Sequence, residues 1–174
     1  MALNSRELKK TYISLFSSAG VGCYGFKEMG FECVATNEIL PKRLKIQEFN
    51  NKCKYPTGYI IGDIQQQEIK NKIFEEIKKW HKNEKINDID VLIATPPCQG
   101  MSVANHKKKD EKGRNSLIIE SIKIVEKIEP KYFIFENVKT FLSTVCTNTD
   151  GKEMPISEAI DLNLGNKYNI LKKV

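Results

Sequence analysis

The sequence predicts an α/β fold: a doubly wound, mostly parallel sheet with helices on its faces. Three observations carry that expectation. Short runs with apolar residues on both faces alternate with helical patterns along the chain, as strands buried on both sides require. The helical stretches carry apolar residues at three- and four-residue spacing, which gives each one buried face. Residues able to do chemistry recur just after the strand-like runs, where open parallel sheets bind ligands. Strand–helix–strand alternation of this kind builds right-handed crossovers.

Six runs read as strands. Residues 12–16 (YISLF) end in a Ser/Gly-rich turn, and residues 32–36 (ECVAT) form the second run. Residues 59–61 (YII) are the third and shortest, and residues 90–94 (DVLIA) the fourth, bounded by Thr95-Pro96-Pro97. Residues 131–135 (KYFIF) are the fifth, and residues 168–174 (YNILKKV) are a sixth, cut off by the chain end. Between them, Pro41 sits where it can open a helix reaching about residue 50, because its fixed φ and missing N–H suit a first helical turn. Residues 67–82 align Ile69, Ile73, Phe74, Ile77 and Trp80 on one face, and residues 115–128 align Leu117, Ile118, Ser121, Ile122, Val125 and Ile128.

Composition narrows the class. The 174 residues suit one domain able to bury a core. A hydrophobic content of 40% is far from the signature of disorder. No apolar run approaches the ~18 residues of a membrane span. Residues 1–10 lack the apolar segment of a secretory leader. A cytoplasmic protein is the expectation. Five cysteines, Cys23, Cys33, Cys53, Cys98 and Cys146, show no two-residue gap, and His81 and His106 are the only histidines. A zinc site is therefore not expected, and reduced thiols are. The net charge of +6 permits a nucleic-acid partner without demonstrating one.

Residues 17–25 (SSAGVGCYG) follow the first strand and contain Gly20-x-Gly22-x-x-Gly25, formally a dinucleotide fingerprint. Glu38 ends the second strand, where a carboxylate accepts from a ribose diol. Asp63 closes the third strand and suits either an adenine amino group or a helix-turn amide. Sheet-to-helix turns also collect Gly and Asp for local reasons alone. Taken in order, the turn, Glu38 and Asp63 point to an adenosine-containing cofactor. They do not separate a nicotinamide dinucleotide from S-adenosylmethionine, which has no pyrophosphate to bind.

Residues 94–102 (ATPPCQGMS) follow the fourth strand. Two prolines fix φ and stiffen the loop, and Cys98 comes directly after them. A cysteine there is a candidate nucleophile if its thiolate is stabilised. The other four cysteines read as small buried hydrophobes. Glu136-Asn137-Val138 ends the fifth strand after a wholly apolar run, which predicts a partly desolvated carboxylate able to hold a proton near neutral pH. A helix cap or a solvent-facing acid is the plain alternative. If the fourth and fifth strands are neighbours, Cys98 and Glu136 share one crevice.

These residues resemble the catalytic domain of DNA (cytosine-5) methyltransferases, most of them restriction–modification enzymes. Residues 13–22 (ISLFSSAGVG) resemble the cofactor-binding motif, Asn37-Glu38 the ribose-binding acid, and Gly62-Asp63-Ile64 the adenine-contacting turn. Pro96-Pro97-Cys98-Gln99 matches the nucleophile motif, and Glu136-Asn137-Val138 the motif whose acid contacts the target base. Residues 114–117 (RNSL) loosely resemble the motif before the next helix. Two positions depart from the pattern: Ser14 stands where many members have Asp, and Ser18 where many have Gly.

The resemblance implies a Rossmann-like sheet of the S-adenosylmethionine-dependent methyltransferase type, with residues 1–10 as an extension and residues 11–174 as a partial catalytic domain. It implies Cys98 and Glu136 as catalytic residues. Phe16, Ser18, Ala19, Gly20, Glu38, Asp63, Ile64 and Leu117 are implied around S-adenosylmethionine. Gln99, Ser102, Lys107, Lys108, Lys109 and Arg114 are implied on double-stranded DNA with a flipped cytosine, with no metal.

The family's Gln-Arg-Arg motif, target-recognition region and C-terminal motifs have no counterpart here, so the sheet is expected to be incomplete at its C-terminus. A subunit of a split enzyme completed by a second polypeptide, an inactive truncated remnant, and a piece of a whole enzyme all meet that expectation. Other readings are a cofactor-binding subunit, a tRNA cytosine-5 methyltransferase and a nicotinamide-dependent oxidoreductase. The last leaves Pro-Pro-Cys-Gln unexplained.

Overall fold

Five of the six expected strands form one parallel sheet in a computed structural model that describes residues 9–97 and 117–172. They are β1 (Lys10–Leu15), β2 (Phe31–Glu38), β3 (Tyr59–Ile61), β4 (Val91–Ala94) and β5 (Tyr132–Phe135), in the order β3-β2-β1-β4-β5. The chain winds outward from β1 to β3, returns to the other side of β1, and continues to β4 and β5. The reversal between β1 and β4 leaves a crevice at the carboxyl ends of the strands, the expected place for a ligand.

The helices are α1 (Tyr24–Glu28), α2 (Pro41–Phe49), α3 (Gln67–Glu84), α4 (Leu117–Ile128) and α5 (Ile156–Leu164). The expected helices at 41–50, 67–82 and 115–128 correspond to α2, α3 and α4, with positions 115 and 116 outside the described residues. No side chain caps the start of α3. What holds it is Ile69, Ile73, Ile77 and Trp80, all buried, each contributing about 2 kcal/mol by leaving water. Alternate strand residues separate onto the two sheet faces. Ile13, Leu15, Leu92 and Ala94 pack with α3 and α4. Tyr12, Val91 and Ile93 pack with Phe26 of α1.

The amino ends of the strands are tied by charge. The Asp90 carboxylate accepts from the Thr11 amide at 2.7 Å and from Lys131 Nζ at 2.7 Å, joining β1, β4 and β5. At the end of α3, Glu84 accepts from Lys54 Nζ at 2.6 Å, and also from Lys9 and the Tyr55 hydroxyl.

The structure departs from expectation in three places. Residues 168–172 of the expected sixth strand join no ladder. They are held by side chains instead: the Tyr168 hydroxyl donates to the Pro130 carbonyl at 2.7 Å, and its ring meets Phe133 edge-on. An antiparallel pair, β6 (Val145–Thr147) and β7 (Glu153–Pro155), precedes α5, and neither the pair nor α5 was expected. Finally, β5 is an edge strand among the described residues, with Tyr132 and Ile134 exposed, so its apolar run is not buried on both sides.

Candidate functional site

The turn after β1 is built against the stereochemical preference of its residues. Phe16 and Ser18 lie at φ +54° and +50°, and Gly20 at +86°. Left-handed backbone costs a residue with a β-carbon about 1 kcal/mol or more, so the surroundings must impose it. The Thr95 hydroxyl donates to the Phe16 carbonyl at 3.0 Å. The Ser17 amide and hydroxyl both donate to the Asn37 carbonyl at 3.0 Å. The Ser18 amide donates to Glu38 Oε2 at 2.8 Å.

Glu38 ends β2 and is 3% exposed. Its Oε1 accepts from the Leu40 amide at 3.0 Å and lies 3.8 Å from Arg43 of α2. Two amides on opposite oxygens fix the carboxylate plane at the floor of the crevice. Next to it, Asn37 Nδ2 donates to the Ile60 and Gly62 carbonyls, each at 3.1 Å, which fastens the end of β3 to β2. Asp63 Oδ1 accepts from the Gln65 amide at 2.9 Å. The helix-turn role foreseen for Asp63 is therefore present, and its side chain still borders the crevice.

Phe16, Ser18, Glu38, Asp63, Ile64 and Leu117 together line one cleft of about 430 Å³. This volume lies in the range of small-molecule sites. The cleft has acceptors and walls that suit an adenosine-containing ligand: a buried carboxylate whose orientation is already fixed, apolar walls from Phe16, Ile64 and Leu117, and a second carboxylate at its rim. Ala19 and Gly20 do not line it. They border a separate cavity of about 240 Å³ across the turn, with Tyr12, Cys23 and Gln47. No protein atom lies near where a β-carbon would sit on Gly22 or Gly25, and a five-residue helix, α1, contains Gly25. Of the two departures from the family pattern, Ser14 faces Cys23 Sγ at 3.2 Å, away from the cleft, whereas Ser18 lines it.

The far wall comes from β4 and β5. Thr95 and Pro97 line the same cleft as Ser18 and Glu38. The Glu136 amide donates to the Ala94 carbonyl at 3.2 Å, and Asn137 Nδ2 donates to the Pro96 carbonyl at 2.7 Å. The loops after β4 and β5 are thus neighbours, as a shared crevice requires. The Glu136 side chain is exposed rather than partly desolvated, because β5 lies at the sheet edge. Cys98, Gln99, Ser102, Lys107, Lys108, Lys109 and Arg114 lie outside the described residues.

Sequence reasoning missed Arg43, Thr95 and Gln47. Arg43 sits one turn into α2, five positions after Glu38, a spacing that returns a helical residue toward its strand end. Cys23, Cys33, Cys53 and Cys146 are buried and unbridged, as small apolar residues are. Among the described residues, no cluster of three or more His, Cys, Asp or Glu could hold a metal, and no helix is long and apolar enough to cross a membrane.

Comparison with known proteins bears on this geometry. A family model described as C-5 cytosine-specific DNA methylase matches residues 10–172. The Type II methyltransferase M1.HgaI of Avibacterium volantium is 37% identical over 164 residues, covering 91% of this chain and 42% of that protein. The Type II methyltransferase M.NmeDI of Neisseria meningitidis serogroup C is 36% identical over 148 residues, covering 80% of this chain and 34% of that protein. The chain thus spans less than half the length of both. A crystal structure described as a DNA modification methyltransferase encoded within an E. coli prophage superposes with a TM-score of 0.56 at 24% identity, covering 90% of this chain and 38% of that one. That likeness speaks to the fold alone.

Proposed function

The chain belongs to the C-5 cytosine-specific DNA methylase family, and from that premise we propose that it methylates C5 of cytosine in DNA through a covalent Cys98–C6 bond. S-adenosylmethionine is the methyl donor of this proposal, and a restriction–modification system its setting in the cytoplasm. One observation carries the reading: Pro97, the residue before Cys98, lines the same cleft as Ser18 and Glu38. In this reading the groups that hold the methyl donor and the start of the nucleophile loop share one topological switch point.

The chain's own groups have distinct tasks. Glu38 would accept from the ribose hydroxyls of the methyl donor, with Asp63, Ile64, Phe16 and Leu117 lining the cleft around its adenosine. When bound, S-adenosylmethionine supplies an electrophilic methyl group on a sulfonium. C5 of cytosine is a poor nucleophile while the ring is aromatic. The Cys98 thiolate adds to C6, and the displaced π electrons make C5 enamine-like. Glu136 hydrogen-bonds or protonates N3, stabilising charge as it develops. C5 would take the methyl as its bond to the sulfonium sulfur breaks, leaving the thioether; any proton taken at N3 returns to Glu136, the C5 proton leaves to solvent, the C6–S bond breaks, and the thiolate is regenerated with the ring aromatic again.

A stacked cytosine is out of reach of this crevice, so the base is flipped from the duplex. Lys107, Lys108, Lys109 and Arg114, with Gln99 and Ser102, face the DNA in this reading, the cations against phosphates. In this reading a second polypeptide supplies target recognition. The test is transfer of a labelled methyl group from S-adenosylmethionine to unmethylated DNA, with and without the polypeptide encoded immediately downstream. Transfer that disappears in Cys98→Ser, together with a gel-stable adduct on DNA containing 5-fluorocytosine, supports the proposal. Undiminished transfer by Cys98→Ser refutes it.

A further inference from the structure

We propose that Gln47 is the positioning residue of the turn after β1. It holds Ser18 in a left-handed conformation that serine does not adopt unaided, and so keeps the Ser18 amide aimed at Glu38. The proposal rests on the cleft being the S-adenosylmethionine site, and it adds a residue that no motif in the sequence marks.

Gln47 projects from α2 and is 1% exposed. Its Nε2 donates to the Ser18 carbonyl at 2.6 Å and to Ser17 Oγ at 2.8 Å. Its Oε1 accepts from the Thr36 hydroxyl at 2.8 Å, and that hydroxyl accepts from Lys52 Nζ at 3.2 Å. Both amide protons and the carbonyl are therefore engaged. The stem of the side chain also packs beneath Gly20: a β-carbon on Gly20 would sit 3.0 Å from Gln47 Cγ. One side chain thus reaches Ser17, Ser18 and Gly20, three of the four residues that make the turn.

The direction of those contacts sets the role. Ser18 carries a β-carbon at φ +50°, where glycine alone is unstrained. Its carbonyl is held from below by Gln47, and its amide from the cleft side by Glu38 at 2.8 Å. Gln47 borders the cavity across the turn rather than the cleft that holds Glu38. It therefore acts on a bound nucleoside through the turn, most directly through the backbone of Ser18. A buried glutamine that merely fills the core makes a different prediction, because its loss would not be repaired by changing Ser18.

Four proteins decide the matter: wild type, Gln47→Met, Ser18→Gly and the double variant. Methionine keeps the volume and removes the donors. Binding of S-adenosylhomocysteine is measured by titration calorimetry. Gln47→Met is expected to weaken binding about tenfold, the scale of one to two hydrogen bonds. Made on the Ser18→Gly background, the same Gln47→Met change is expected to cost no more than about threefold relative to Ser18→Gly, since glycine takes the left-handed turn without help. Wild-type affinity in Gln47→Met, or an equal loss in the two backgrounds, overturns the proposal. If wild type binds no S-adenosylhomocysteine, it is the cofactor reading that fails. Thermal unfolding of the same four proteins then decides on Gln47. Ser18→Gly raising Tm more in the Gln47→Met background than in wild type supports the strut, and equal increments overturn it.

Discussion

The side-chain amide of Asn137 donates to the Pro96 carbonyl at 2.7 Å, binding the loop after β5 to the loop after β4. The same side chain accepts from the Val138 amide at 2.9 Å, so its plane is set at both ends. Pro96 stands two positions before the proposed nucleophile and Asn137 one position after the proposed acid. Asn137→Ala is expected to lower the kcat of methyl transfer at least tenfold, about the effect of a lost positioning contact, while S-adenosylhomocysteine affinity stays within about twofold. Tm falls by only a few degrees, the scale of about 1 kcal/mol in a domain of this size. Unchanged turnover would remove Asn137 from the machinery.

Glu38 offers acceptors to two amides on opposite oxygens. Glu38→Gln keeps the shape but turns an NH₂ toward one of those donors, and it removes the charge. Hydrogen bonds to a charged group are worth about 1.5–3 kcal/mol. At least a tenfold loss of S-adenosylhomocysteine affinity is expected in calorimetry, with a lower Tm. A Glu38→Gln protein that binds as tightly as wild type would show that this carboxylate is a turn anchor only.

Stability in acid is expected to depend on Glu84. Hydrogen bonds from Lys54, then Lys9 and Tyr55, hold its carboxyl down to about 2, from an ordinary value of 4.5. A carboxylate depressed in the folded state stabilises above the unfolded value, and that contribution is lost as pH falls through the folded one. Wild type is therefore expected to lose Tm between about pH 4.5 and pH 2 more steeply than Glu84→Gln. The gap between the two is widest near neutrality and closes toward pH 2. Parallel melting curves against pH would contradict this.

The sheet was legible in the sequence because each buried strand leaves a short apolar run, and α3 because Ile69, Ile73, Ile77 and Trp80 repeat at helical spacing. The cleft was legible through Glu38 and Asp63, whose place at strand ends follows from strand length alone. Burial at β5 was not. An apolar run tells how a strand can be covered, not whether a neighbour is present, and the exposure of Glu136 follows from the edge position. The β6–β7 pair left a signal that went unread: Asp150-Gly151 between two short runs is hairpin chemistry, and Gly151 takes φ +81°. Gln47 left no signal, since a glutamine in a mostly polar helix looks like any other polar residue until the turn above it is known.

The central place of β1 has a consequence for how the molecule assembles in time. The Ser18–Glu38 contact closes over 20 residues, and the Asn137–Pro96 contact over 41. The bond that joins the two walls, Thr95 to Phe16, spans 79. Each doubling of loop length adds about 0.6 kcal/mol of closure entropy. A chain leaving the ribosome therefore has the wall that carries Ser18, Glu38 and Asp63 in hand, with β1, β2 and β3 already synthesised, before β4 exists to dock beside β1. The loop after β4 follows, and β5 with the loop behind it comes later still, onto a floor that is already laid.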